Sequence, residues 1–100
     1  MKSVLDSRQL LAASVLARTG SFTLAGQRLS LTQSAISHAI KALEAEVQCQ
    51  LFVRTGKGVA TTAEGKLFLA CVDEIIAKME MARSLVAPRG TGPESSTLTP

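Results

Sequence analysis

Residues 32–47 read Thr32-Gln-Ser-Ala-Ile-Ser-His-Ala-Ile-Lys-Ala-Leu-Glu-Ala-Glu-Val47, and this stretch decides how the rest of the chain is understood. At 3.6 residues per turn, Ile36, Ile40, Leu43 and Val47 fall in one apolar stripe. Gln33, Ser34, Ser37, His38 and Lys41 fall on the other side. That side is short-chained, rich in donors and acceptors, and free of carboxylates until Glu44. A face that only keeps a helix soluble is usually laced with both signs of charge. This one instead suits a helix laid into a DNA major groove, where base edges offer donors and acceptors between rows of phosphate.

Upstream, the sequence predicts two more helices. The first runs from Ser7 to about Thr19, with Asp6 or Ser7 as its cap and Gly20 as its left-handed terminator. Leu10, Ala13, Ser14 and Ala17 line one face, and Leu11 and Val15 a second strip, a pattern expected of an internal helix. The second spans about Phe22 to Leu29, with Ser21 or Thr23 as its cap. Gly26 costs such a helix up to ~1 kcal/mol relative to alanine, so the close approach of another helix is expected there. Ser30-Leu31 forms a tight connection with Leu31 tucked under, and Thr32 caps the third helix. Two helices joined by so short a turn make a helix-turn-helix.

Downstream, Leu51-Phe-Val-Arg54 reads as a strand, Thr55-Gly-Lys-Gly58 as a turn and Val59-Ala-Thr61 as the return strand. This hairpin carries Arg54 and Lys57 at or near its tip, which makes it a wing suited to phosphate or a minor groove. Thr61 and Glu64 have capping-box spacing before the last helix, with Thr62 the rival cap. Phe68, Val72, Ile75, Met79, Ala82 and Val86 then recur in steps of four and three, a heptad seam expected to pair with a second copy. Packing on its own domain is the alternative for that seam. Pro88 stops the helix, and residues 89–100, rich in Gly, Pro, Ser and Thr, read as a linker or tail. The expected division is 1–62 for the winged helix-turn-helix, 63–87 for the linker helix and 88–100 for the tail.

Composition narrows the partners. With 46% apolar but only 3% aromatic residues, the core must be aliphatic, and a chain of 100 residues makes only a small one. Residues 1–62 carry seven Lys and Arg against three Asp and Glu, whereas residues 63–100 carry four against five. The positive excess therefore accompanies the candidate reading helix and favours a polyanion there. Two separated cysteines, Cys49 and Cys71, with one histidine make neither a disulfide framework nor a zinc site, so small buried thiols and no metal or cofactor are expected. No apolar run reaches the ~18 residues that span a bilayer. Charges at Asp6, Arg8 and Arg18 break the layout of a signal peptide, and the cytoplasm is the expected compartment. Catalysis is not expected: Ser37 and His38, as helical neighbours, point about 100° apart and cannot form a nucleophile–base pair.

The stretch from Arg8 to Leu69, about two thirds of the chain, closely resembles the N-terminal DNA-binding domain of LysR-type transcriptional regulators. The resemblance is carried by Gly20-Ser-Phe-Thr-Leu-Ala, Gln27-Arg-Leu, Thr32-Gln-Ser-Ala-Ile-Ser, Ile40-Lys-Ala-Leu-Glu, Leu51-Phe-Val-Arg-Thr-Gly and Thr62-Ala-Glu-Gly. It implies a mainly α fold, a winged helix-turn-helix of three helices and a two-stranded wing followed by a long dimerisation helix. It also implies a homodimer on double-stranded DNA, with a tetramer the further option in a longer chain. By position, Thr32 and Gln33 match helix-start residues that touch phosphate and base, Ser37 and His38 the middle of the reading face, and Lys41 a basic position near the backbone. Ser21 and Thr23 match the phosphate-facing start of the second helix, and Arg54 the basic residue of the wing.

The departures are specific. Ser34 replaces a usual proline, so either a less rigid helix entry or an extra hydroxyl for DNA is expected there. His38 stands where arginine is common and can read a base as donor or acceptor. Leu24 removes a basic contact, Ala13 replaces phenylalanine in the core, and Gln48 replaces the glycine after the third helix, so a different turn is expected there. Family members normally continue into a small-molecule-sensing domain, so the chain is expected to be either the DNA-binding piece of such a protein or a free-standing DNA binder. The competing expectation is a winged helix that binds protein, and salt-dependent affinity for duplexes separates the two.

Overall fold

The computed structural model of the chain describes residues 4–87. Helices α1 (Ser7–Thr19), α2 (Phe22–Leu29) and α3 (Gln33–Val47) are followed by strands β1 (Phe52–Thr55) and β2 (Gly58–Thr61) and by helix α4 (Ala63–Leu85). This is the mainly α winged helix-turn-helix with a long following helix that the sequence implies. The caps explain the boundaries. Asp6 accepts the Arg8 N–H at 2.8 Å, and that backbone hydrogen bond, first among its causes, holds the Asp6 carboxyl below the ordinary carboxylate range. Ser21 accepts from Leu24 N–H, Thr32 from Ala35 N–H and Thr62 from Gly65 N–H. Thr62, not Thr61, therefore opens α4, because Thr61 is engaged in β2 opposite Phe52.

Helix ends are equally local. Gly20 ends α1 at φ 67°, and Gln48 ends α3 at φ 54°. The turn at Gln48 is thus the left-handed one that glycine favours, adopted here by a residue with a side chain. Gly26 is explained by its neighbour. A Cβ there would lie 2.6 Å from the Leu31 carbonyl oxygen, so the close approach is that of the connecting turn rather than of a separate helix. The same turn leaves Leu31 49% exposed instead of tucked under, because the Leu31 N–H is drawn back to the Gly26 carbonyl at 2.8 Å.

The core is aliphatic as expected. Leu16, Ile36, Leu43, Leu51 and Val72 are its largest fully buried side chains. On α1 the buried set is Leu10, Ala12, Ala13, Ser14, Val15 and Leu16, while Leu11 and Ala17 face outward, so the expected strips are rotated. Ala13 is completely enclosed. Cys49 is half-buried and Cys71 exposed, contrary to the expectation of two buried thiols.

Two observations correct the expected seam on α4. Val72 is 1% exposed and belongs to the core, and Phe68 packs against it. Leu69 joins them, so the core runs across the expected boundary at residue 62. The first half of α4 is therefore committed to its own domain, where α1 and β2 lie against it. Ser14, buried on α1, donates to Asp73 at 2.7 Å, and Arg18 reaches the same carboxylate at 3.6 Å. From Ala77 to Ala87 every residue is exposed, and this half projects from an elongated molecule of 54 × 34 × 21 Å. The expected stop at Pro88 and the tail lie outside the described residues.

Candidate nucleic-acid interface

The apolar stripe of α3 seats the helix on α1 and α2, with Ile36, Ile40 and Leu43 buried. Its other side is then necessarily outward. Thr32, Gln33, Ser34, His38 and Lys41 are exposed, and Ser37 is half-buried. By helix geometry the first N–H groups of α2 and α3 lack intrahelical acceptors, and the caps Ser21 and Thr32 take only one each through their side chains. The two helix starts are joined side chain to side chain. Thr23 donates its hydroxyl to Gln33 Oε1 at 3.2 Å. Residues ten apart in sequence thus form one surface.

The wing is fixed to this surface close to its tip. Phe52 pairs with Thr61, Val53 with Ala60, Arg54 with Val59 and Thr55 with Gly58, which leaves Gly56 and Lys57 as the tip. The Val59 N–H donates to the Gly20 carbonyl at 3.1 Å, so the return strand is tied to the corner between α1 and α2. Gly58 sits at φ 142°, with its Cα facing the Gly20 carbonyl so closely that a Cβ would lie 2.5 Å from that oxygen.

Arg54 and Lys57 are both exposed, but they are placed differently. Lys57 is at the tip. Arg54 lies back along β1, its guanidinium 4.7 Å above the centre of the Phe22 ring on α2. A groove between α3 and the wing is lined by Phe22, Ser37, Lys41, Glu44, Gln50 and Arg54, among others. Arg54 thereby converges with Ser37 and Lys41, which its position in sequence does not suggest.

Sequence reasoning missed Phe22 and Glu44. Phe22 is one of only three aromatic residues and directly follows the α2 cap, a signal that was available. Glu44 Oε2 accepts the N–H groups of Leu51 and Phe52 at 2.8 and 3.1 Å. The carboxylate nearest the reading face is thus turned onto the start of β1. Nothing local in the sequence signals that reach across seven residues. Among the described residues no His, Cys, Asp and Glu cluster could hold a metal ion, and no helix is long and apolar enough to cross a membrane.

Comparison with known proteins places this geometry. The family model for bacterial regulatory helix-turn-helix proteins of the lysR family matches residues 7–66. The HTH-type transcriptional regulator TfdT of Cupriavidus pinatubonensis is 36% identical over 92 residues, which cover 90% of this chain and 40% of TfdT. Vibrio fischeri DarR, solved in complex with DNA, superposes with a TM-score of 0.79 at 29% identity over 85% of this chain and 29% of DarR. The BenM DBD in complex with benA site 1 DNA gives a TM-score of 0.77 at 28% identity over 81% of this chain and 91% of that one. This chain spans from 17% to 55% of the length of the curated relatives compared with it.

Proposed function

Since the chain belongs to the LysR family of bacterial regulatory helix-turn-helix proteins and carries its DNA-binding domain, we propose that it regulates transcription as a homodimer on double-stranded DNA. In this reading α3 enters the major groove and the wing follows the backbone or the minor groove. Gln33, Ser34, Ser37 and His38 face the bases. Ser21, Thr32, Lys41, Arg54 and Lys57 meet phosphate, and Thr23 does so through its backbone N–H, since its hydroxyl is given to Gln33. Ser21, Thr23 and Thr32 stand at helix N-termini whose free N–H groups attract anions. The observation that supports this most is the outward side of α3. From Gln33 to Lys41 it is largely exposed and carries no carboxylate, it is bordered by Lys41 and Arg54 across one groove, and Glu44, which lines that groove too, is turned onto the start of β1.

The dimer would form through the projecting half of α4. Met79, Met81, Leu85 and Val86 leave between 41% and 82% of their surfaces exposed there, and Ile75 just before them 39%. A lone helix of that length is marginal in water, and a second copy would cover its apolar residues. Phe68 and Val72 serve the protomer's own core and would contribute to the dimer only by supporting the helix. DNA as the target places the protein in the cytoplasm.

The test is a titration against mixed-sequence duplexes at several salt concentrations. Affinity is expected to fall with a log–log slope of several units, as counterions are released from neutralised phosphates. Absence of any duplex binding at about 50 mM salt would overturn the reading.

A further inference from the structure

On the outward face shared by α2 and α3, Thr23 and Gln33 are hydrogen-bonded to each other across the two helices. We infer that Thr23 is a positioning residue that sets which base Gln33 reads, by occupying the Gln33 Oε1 so that the Nε2 end of the amide faces the groove. This inference rests on the DNA-binding reading above and deepens it.

The chemistry follows from the amide. A glutamine that grips adenine uses both ends at once, Nε2 donating to N7 and Oε1 accepting from the N6 amino group. Both ends must then point at one base edge. Here Oε1 points back to α2, where Thr23 Oγ1 lies 3.2 Å away. What remains for DNA is a pair of N–H donors without an adjacent acceptor. Guanine, which sets two acceptors, N7 and O6, side by side, fits that group, while the N6 amino group of adenine repels it. Thr23 is held for this task by its place in the first turn of α2, which the Ser21 cap secures through the Leu24 N–H at 3.1 Å. Gln33 is held by its place in the first turn of α3, which the Thr32 cap secures through the Ala35 N–H at 3.0 Å.

Selection from random duplexes with the full chain tests this. Gln33→Ala first identifies the base pair in question as the one whose preference disappears. At that pair the unaltered chain is expected to select G·C. Thr23→Val, which keeps the side-chain shape but removes the hydroxyl, is expected to shift the preference towards A·T by about tenfold. Thr23→Ser is expected to restore the original preference, and all three variants should keep the salt slope of the parent, since no charge changes. An A·T preference in the unaltered chain overturns the inference, as does a Thr23→Val chain whose preference at that pair is unchanged. Either result leaves DNA binding itself standing, whereas failure of the unaltered chain to bind any duplex removes both.

Discussion

At Gly26 two effects of opposite sign compete within one residue. Alanine is the better helix former by up to ~1 kcal/mol, but its Cβ would meet the Leu31 carbonyl oxygen at 2.6 Å. That oxygen is backbone, and the same turn is closed by the Leu31 N–H on the Gly26 carbonyl at 2.8 Å, so it cannot swing aside cheaply. The clash wins. Gly26→Ala is expected to lower the melting temperature by at least several degrees, about 1 kcal/mol or more for a domain of this size. Gln48 presents the reverse case. Its φ of 54° costs a residue with a side chain roughly 1–2 kcal/mol, more than glycine's extra entropy in the unfolded chain. Gln48→Gly is therefore expected to stabilise the protein by about 0.5–1 kcal/mol in a denaturant titration. A fall in the denaturation midpoint would mean that the Gln48 side chain contributes more than its backbone loses.

Helix α4 shows two characters along one element. Phe68, Leu69 and Val72 complete the domain while Leu67 stays exposed, and from Ala77 onward every described residue is exposed, with only the start of α1 beside Met79, Glu80 and Arg83. The heptad spacing is continuous across both halves, so spacing does not reveal the change. Charge placed in the two halves is expected to separate them. Val72→Glu would bury a carboxylate in the core and should unfold the chain, because an unpaired buried charge costs several kcal/mol. Met79→Glu should leave the circular dichroism spectrum and melting of the protomer nearly unchanged while shifting size-exclusion elution from dimer to monomer. An unchanged elution volume for Met79→Glu would show that the projecting half of α4 is not where copies meet.

Across the whole molecule, the positive excess is arranged rather than merely present. Arg54, over Phe22, shares a groove with Lys41 of α3 and Lys57 stands at the wing tip, while the acidic residues Asp73, Glu74 and Glu80 lie on α4 among Lys66, Lys78 and Arg83. Removing both wing charges, Arg54→Ala with Lys57→Ala, is expected to weaken all duplexes about equally and to lower the log–log salt slope by about two, near one per phosphate contact. An effect confined to one sequence would contradict a backbone role for the wing. Much of this molecule was legible before folding was considered. The helices, their caps at Ser21 and Thr32, the hairpin and the polar side of α3 follow from periods and short-range hydrogen bonds, whose partners lie within a few residues of each other. Other features were decided only when distant segments met. Glu44 turns onto β1, Arg54 settles over Phe22, Leu31 stays in the open, and the α4 seam divides at the edge of the core. The physical reason is one of range: a cap or an amphipathic stripe is satisfied by its own neighbours, whereas burial is assigned by whatever else the chain brings to that place.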